Sequence, residues 1–171
     1  GRIGRLLYGD VGTGKTYLAA CIANALLNQG IRVKWLTTMQ IVERSCFYSE
    51  SEYAEYNRSI TAPDLLIIDD LGAERGTDFA LERVHSLVDT RISANLPMIV
   101  TTNIDITDMG NCTDLKKKRT FDRIMPATFA FAMKGTSYRM KLAQKSYEAL
   151  KDLLLSEETI GKDGNTNEND Q

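Results

Sequence analysis

Residues 9–16 read Gly9-Asp10-Val11-Gly12-Thr13-Gly14-Lys15-Thr16 and fit the phosphate-loop pattern G-x-x-x-x-G-K-[ST] at every fixed position. The glycines allow turns with positive φ and let backbone N–H groups approach phosphate oxygens. Lys15 would then reach the β- and γ-phosphates, and the Thr16 hydroxyl would ligate Mg²⁺. The alternative is a surface glycine turn, but such a match arises by chance in roughly one chain in a few hundred of this length. The stretch therefore predicts a nucleotide site with the contacts Gly9, Asp10, Val11, Gly12, Thr13, Gly14, Lys15, Thr16 and the next residue, Tyr17.

The sequence on either side of this loop has the strand-loop-helix order that a phosphate loop requires. Residues 5–8, Arg-Leu-Leu-Tyr, are strand-like. Apolar residues then recur at helical spacing, at Leu18, Cys21, Ile22, Ala25 and Leu26. The helix is expected to end at Asn28-Gln29-Gly30, which is a C-cap signal. Its positive end would point at the same phosphates.

Short apolar segments alternate with helical ones along the rest of the chain. We expect further strands at residues 32–38, 65–70, 98–102 and 127–133, and a helix at about 78–94. Strands interleaved with helices and opened by a phosphate loop predict an α/β fold, a doubly wound parallel sheet with its ligand at the carboxyl ends of the strands. The connection over residues 39–63 is long for such a fold, so we expect an inserted helix there.

Two later segments carry polar side chains at the ends of apolar strands. Leu65-Leu66-Ile67-Ile68-Asp69-Asp70 has the form of a Walker B element, in which Asp69 holds Mg²⁺ through water and Asp70 orients or deprotonates the attacking water. The alternative is a helix-capping turn. Thr101-Thr102-Asn103 closes the next strand in the same way. The Asn103 amide could donate to a γ-phosphate or to the attacking water, or it could simply occupy a turn.

Length and composition are those of one globular domain. A chain of 171 residues with 43% hydrophobic content can bury its own core, and we place the domain at residues 1–155. No apolar run approaches the length of a membrane span and no signal peptide opens the chain, so we expect a cytoplasmic location and no membrane partner. Three widely spaced cysteines indicate neither a disulfide framework nor a zinc site. Because the chain opens on glycine, we expect a truncated or processed protein with a further domain upstream.

Charge is distributed unevenly. Residues 156–171 are acidic and polar, which predicts a disordered tail. Residues 113–155 hold ten lysines or arginines against four acids, a net charge of +6. This excess is either a solvated face or a contact surface for polyphosphate or nucleic acid. The aromatic residues of the long connection could stack on unpaired bases or cover the domain edge; they are Phe47, Tyr48, Tyr53 and Tyr56.

Five segments together resemble the AAA+ ATPase domain of the DnaC, DnaI and IstB family, which comprises replicative helicase loaders and transposition helper ATPases. They are residues 9–16, 69–75, 101–103, 119–124 and 137–139, and the resemblance covers about residues 1–150. It implies a P-loop NTPase fold, a three-layer αβα sandwich with sheet order 5-1-4-3-2. It also implies assembly into homo-oligomeric rings or spirals with single-stranded DNA in the central channel. By the resemblance, Asn103 is the first sensor, Arg123 the arginine finger and Arg139 the nucleotide-binding second sensor.

The resemblance implies an ATPase. Three features of the sequence bear on how active this ATPase is and how it works. Many AAA+ proteins have Glu where this chain has Asp70, which leaves the water further away and predicts slow turnover, stimulated by assembly or DNA. The helical lid is largely missing, since only about residues 138–155 follow the last strand. Arg123 could instead form a surface ion pair with Asp122 or another acid.

The function implied is that of a helicase loader in DNA replication, with the replicative helicase bound through a domain not in this chain. ATP is expected rather than GTP, because the family uses ATP and no Asn-Lys-x-Asp motif is present. One alternative is an IstB-like transposition helper ATPase, which shares every motif quoted. The other is an ATP-dependent binding switch with little turnover.

Overall fold

The computed structural model describes residues 4–46, 50–73 and 78–160. Within these residues, five strands alternate with seven helices. Their bounds are β1 Gly4–Tyr8, α1 Lys15–Leu27, β2 Val33–Thr37, α2 Thr38–Cys46, α3 Glu50–Thr61, β3 Leu65–Leu71, α4 Asp78–Ser93, β4 Met98–Thr102, α5 Ile106–Gly110, α6 Leu115–Ala127, β5 Thr128–Ala132 and α7 Tyr138–Ile160.

The five strands form one parallel sheet in the order β2-β3-β4-β1-β5. Read from the other edge, this is the predicted order 5-1-4-3-2, which is therefore confirmed. β1 lies between β4 and β5, with Tyr8 opposite Thr102 of β4. The loop that follows β1 consequently starts beside the carboxyl end of β4, which is also the end that Asn103 follows.

Each face of the sheet has its own apolar core, because successive side chains of a strand point to opposite faces. Leu7 of β1 packs with Ala19 and Ala23 of α1 on one face. The neighbouring Leu6 belongs to the larger core of the other face, which also contains Ile41 of α2, Ile60 of α3, Val88 of α4 and Ile124 of α6. Helices thus cover the sheet on both sides, and the predicted three-layer αβα sandwich is confirmed.

The long connection between β2 and β3 is helical, as predicted, and consists of α2 and α3. Tyr56 of α3 is 7% exposed and belongs to the larger core. It lies four residues before the buried Ile60, so the two side chains share the inward face of the helix. The hypothesis that Tyr56 stacks on bases is therefore wrong. Phe47, Tyr48 and the side chain of Tyr53 lie outside the described residues.

α7 is the only helix that follows β5 in the described part of the chain. Its described side chains are exposed, including Tyr138 and Met140. The helix runs to Ile160, so residues 156–160 of the predicted tail are helical, and residues 161–171 lie outside the described range. None of the described helices has both the length and the apolar character needed to cross a membrane.

Candidate functional site

The phosphate loop connects β1 to α1, and its three glycines, Gly9, Gly12 and Gly14, all have positive φ. Gly12 has φ +83° and lies so close to the segment before α7 that an added Cβ would come within 2.1 Å of Ser137 Oγ. Gly14 has φ +93° and is the N-cap residue of α1, with open space where a Cβ would be. Side-chain-bearing residues rarely adopt such φ values. The pattern of glycines therefore follows from the path of the backbone.

The start of α1 is suited to an anion. No side chain caps it and no acid lies in its first turn. Its first N–H groups and the positive end of its dipole are consequently available to phosphate oxygens. The Lys15 Nζ donates to the carbonyl oxygens of Gly9 and Asp10, at 2.7 Å each. Anionic phosphate oxygens would be stronger acceptors for this ammonium group than those neutral carbonyls.

Thr16 and Asp69 lie next to each other at the head of α1 and the end of β3. Asp69 is buried, and its Oδ1 accepts from the Thr16 hydroxyl at 3.1 Å. A hydroxyl and a carboxylate are the hard oxygen ligands that Mg²⁺ takes in proteins, usually with waters and substrate phosphates completing the shell. The residues present therefore fit the nucleotide and the metal that the sequence predicts, and Thr16 and Asp69 are the pair that could hold the metal.

Asp70 differs from its neighbour in conformation and exposure. Its φ of +62° is left-handed, and the register of β3 against β4 shifts between Ile68 and Leu71. This irregularity leaves the Asp70 side chain exposed at the carboxyl edge of the sheet. There its Oδ1 accepts from the Asn103 Nδ2 at 3.2 Å. The structure thus brings together Asp70, which the sequence assigned to the attacking water, and Asn103, which it assigned to the γ-phosphate, to that water or to a turn.

Thr101 is a site residue that the sequence analysis did not single out. Its hydroxyl donates to Asp69 Oδ1 at 2.5 Å and accepts from the Asp70 backbone N–H at 2.9 Å. The side chain of Thr101 therefore contacts both acids of β3, Asp69 through its carboxylate and Asp70 through its backbone. The sequence shows a threonine near the end of the strand that follows the Walker B strand. Only the register of the two strands shows that this threonine contacts the two acids.

The two arginines taken from the resemblance lie on different elements. Arg123 is on α6, between the buried Phe121 and Ile124, and forms an ion pair with Asp89 of α4 rather than with Asp122. The side chain of Arg139 lies outside the described residues. Its backbone position follows Tyr138, whose N–H donates to the Gly12 carbonyl of the phosphate loop at 3.0 Å. The backbone of α7 therefore begins beside the loop, and the nucleotide-binding role of Arg139 stays a prediction.

Three other predicted contacts stay predictions. Asp10, Val11 and Tyr17 are exposed, with Tyr17 at 77%. Thr13 donates its hydroxyl to the Asp10 carbonyl at 2.8 Å, which stiffens the loop.

Comparisons with known proteins identify the family to which the chain belongs. A family model for IstB-like ATP binding proteins matches residues 5–146. The replicative helicase loader DnaC of Escherichia coli K12 is 30% identical over 146 residues, covering 81% of this chain and 57% of that protein. A protein described as ATP-binding in an insertion sequence of Mycobacterium tuberculosis is 24% identical over 137 residues, covering 78% and 55%. The chain thus spans little more than half the length of these relatives.

A solved structure is similar as well. The crystal structure of DnaI is 27% identical and has a TM-score of 0.63, covering 78% of this chain and 71% of that one. The resemblance stated from the motifs is confirmed by these matches.

Proposed function

This chain belongs to the family of IstB-like ATP-binding proteins, and from that premise we propose that it is the ATP-hydrolysing AAA+ module of a DnaC/DnaI-like helicase loader acting in DNA replication. The helicase-loader reading is supported by the similarity to DnaC of Escherichia coli and to DnaI. The reaction is ATP plus water to ADP plus phosphate. The larger protein would act in the cytoplasm on a replicative helicase through a part outside this chain.

One observation carries the proposal: the phosphate loop, both acids of β3 and the amide after β4 converge at one edge of the sheet. Thr16 and Asp69 are joined by a hydrogen bond, and so are Asp70 and Asn103. These contacts link segments more than 30 residues apart, which a set of unrelated turns would not bring together. This convergence supports a site in which phosphate, metal and attacking water are bound in one place.

The roles of these groups follow from their chemistry. Lys15 and the first N–H groups of α1 bind the phosphates. Thr16 and Asp69 hold Mg²⁺, which neutralises phosphate charge when it is bound. Asp70 accepts a proton from water that Asn103 helps to orient. Turnover should be slow in the isolated domain, because the side chain of Asp70 is shorter than the Glu that many AAA+ proteins have at this position.

Arg123 completes the site of a neighbouring subunit in this proposal. A guanidinium beside the γ-phosphate neutralises charge in the transition state, and in comparable enzymes a supplied finger contributes about 10³ to 10⁵ in rate. A surface ion pair contributes at most about 1 kcal/mol. Assembly into a homo-oligomer, with single-stranded DNA bound, would therefore raise the rate of ATP cleavage.

Subunit mixing tests the proposal. Lys15→Ala should lose ATP binding and Arg123→Ala should lose hydrolysis, so neither full-length variant should cleave ATP alone. A mixture should recover activity at interfaces where an Arg123→Ala subunit supplies the phosphate loop and a Lys15→Ala subunit supplies the finger. Single-turnover cleavage, measured with and without single-stranded DNA, is the readout. Full activity of Arg123→Ala by itself would refute the trans role, and absence of cleavage by the parent protein would favour an ATP-dependent binding switch.

A second candidate is an IstB-like transposition helper ATPase. It is favoured by the family match and by the similarity to the insertion-sequence protein. The two functions share the same ATP chemistry and differ in the partner. Affinity capture with the full-length protein in its host separates them, since a loader should retain the replicative helicase and a transposition ATPase should retain a transposase.

A further inference from the structure

α6, the helix that carries Arg123, is docked on α4 through side chains of opposite charge. Lys116 Nζ lies 2.5 Å from Asp78 Oδ2 near the start of both helices, and Arg123 Nε lies 3.0 Å from Asp89 Oδ1 further along. Between these ion pairs is a cleft of about 250 Å³, whose lining includes Glu82 of α4 and Arg119 of α6. The two helices therefore run side by side with matched charges, and Arg123 is the last cation of the row.

The backbone of α6 is already fixed at this point. Phe121 and Ile124 are buried in the core on either side of Arg123. The direction in which the Arg123 side chain leaves the helix is therefore set by packing. The remaining freedom lies in the rotatable bonds of the long side chain, which is 54% exposed. Restricting that freedom before reaction lowers the entropy lost when the guanidinium reaches its target.

The nearest contact between Asp89 and the guanidinium is made at Nε, which lies 3.0 Å from Asp89 Oδ1. Neither terminal amino group of Arg123 donates a hydrogen bond to the described residues. Asp89 Oδ1 is itself buried and has no aligned hydrogen-bond donor, although Arg123 Nε is within 3.0 Å, so the contact is an ion pair rather than a directed hydrogen bond. A buried anionic oxygen without another partner strongly favours keeping the cation beside it.

We propose that Asp89 is a positioning residue for Arg123: it holds the guanidinium by its Nε side while the two terminal amino groups point outward to the γ-phosphate bound by the neighbouring subunit. This inference rests on the proposed function, because it needs Arg123 to act in trans. It adds a carboxylate on α4 that no sequence motif marks. It also explains why the observed ion pair and the finger role are compatible, since they use different nitrogens of the same group.

The test asks whether loss of Asp89 slows ATP cleavage only when it is lost from the subunit that supplies Arg123. Full-length Arg123→Ala protein is mixed with Lys15→Ala protein as the reference. A mixture of Arg123→Ala with Lys15→Ala/Asp89→Ala, in which the finger donor lacks Asp89, should cleave ATP about 10-fold more slowly, since an arginine with free rotamers must be ordered at each turnover. A mixture of Arg123→Ala/Asp89→Ala with Lys15→Ala should match the reference, because there Asp89 is missing only from the subunit that receives the finger.

Two matched variants separate positioning from loss of structure. Asp78→Ala breaks the other ion pair between α4 and α6, and in the finger donor it should change the rate by less than about two-fold. Asp89→Glu keeps the carboxylate and should restore most of the rate, whereas Asp89→Asn keeps the shape but not the charge and should be about as slow as Asp89→Ala. Asp89→Ser replaces Asp89→Ala if thermal unfolding shows that the alanine variant does not fold.

The outcomes distinguish this inference from the proposed function. Equal rates with and without Asp89 in the donor, in a system where Arg123→Ala is inactive alone, would overturn the role of Asp89 and leave the finger intact. The same would follow if Asp78→Ala slowed cleavage as much as Asp89→Ala. If Arg123→Ala alone cleaves ATP like the parent protein, the proposed trans mechanism itself fails.

Discussion

Asp69 and Asp70 are adjacent in sequence but differ in burial, backbone conformation and hydrogen bonds. Asp69 is buried and accepts from two hydroxyl groups, those of Thr16 and Thr101. Asp70 is exposed, has φ +62° and accepts from the Asn103 amide. A left-handed conformation within a strand is energetically unfavourable. Here it turns the Asp70 carboxylate out to the open edge of the sheet. This difference supports the proposal that Asp69 holds the metal and Asp70 acts on the water.

Asparagine substitutions test this division because they remove charge and keep shape. Asp70→Asn should bind Mg·ATP like the parent protein and lose about 10² to 10⁴ in hydrolysis, the usual contribution of a general base. Asn tolerates positive φ as well as Asp does, so the backbone is not disturbed. Asp69→Asn should lower the Mg²⁺ affinity as well. ATP affinity with and without Mg²⁺, together with single-turnover cleavage, gives the readout, and parent-like hydrolysis by both variants would make the carboxylates structural.

Thr101→Val should weaken the site without removing any group that touches ATP. The hydroxyl bond to a carboxylate contributes about 1.5 kcal/mol, so the Mg²⁺ concentration for half-maximal hydrolysis should rise about 10-fold. Thr101→Ser retains the hydroxyl and should behave like the parent protein. The matched control is Thr102→Val, which removes a buried hydroxyl that donates to the Leu71 carbonyl at 2.7 Å. Equal Mg²⁺ dependence in Thr101→Val and Thr102→Val would indicate a general packing effect instead.

The sequence predicted the candidate catalytic and binding residues better than the residues that position them. Lys15, Asp69 and Asn103 were recognisable because each stands at a fixed place relative to a loop or a strand end. Thr101 and Asp89 act through contacts with residues more than 30 positions away. Such contacts depend on strand register and on helix packing, and neither can be read from local periodicity.

Among the elements, α4 contains the most deeply buried charge. Arg91 is fully buried and donates through its two terminal amino groups to backbone carbonyls, of which Pro63 at 2.8 Å and Pro97 at 2.6 Å are nearest. Longer contacts reach the carbonyls of Ile60 and Asp64. Burial lowers the pKa of Arg91, while the nearby Asp64 carboxylate opposes that shift. One side chain thus joins the end of α3 to the starts of β3 and β4.

Arg91→Met should destabilise the domain by about 2 to 4 kcal/mol, because each buried carbonyl left without a donor costs about 1 to 3 kcal/mol. Arg91→Lys keeps a charge but cannot form the fork, and it should lose about half as much. Urea unfolding measures both. ATP affinity of the folded variants should stay within about two-fold, because Arg91 lies at the opposite end of the strands from Asp69. Unchanged stability of Arg91→Met would show that water replaces the guanidinium.

The hydrophobic periodicity of the sequence predicted the positions of the helices and strands well but not how they pack. Each predicted strand and the helix of residues 78–94 match the structure to within about one residue at either end, because Gly, Pro and polar residues delimit short apolar runs. The short helix α5 was not predicted. The inward face of α3 was also missed, because its aromatic residues are interspersed with polar ones and a tyrosine suits either a core or a surface.

At the scale of the whole molecule, part of the positive charge of residues 113–155 is used internally. Lys116 and Arg123 are paired with acids of α4. Lys141 and Lys145 of α7 are exposed and stand one helical turn apart. α7 follows the edge strand β5, and Lys34 lies on β2 at the opposite edge of the sheet. A surface for nucleic acid is therefore expected at the α7 side.

Binding of single-stranded DNA by the full-length protein should weaken steeply with salt, because lysine contacts release counterions from phosphates. Each contact contributes about 0.7 to the slope of log affinity against log salt concentration. Lys141→Gln with Lys145→Gln should therefore make the slope about 1.4 less negative, and Lys34→Gln should leave it unchanged. Tyr56→Ala should lower stability but not the salt-independent part of binding, because that ring is in the core. An unchanged salt slope in the double variant would show that α7 is not part of the DNA surface. If each of the three lysine substitutions changed the slope equally, DNA affinity would depend only on the net charge of the protein.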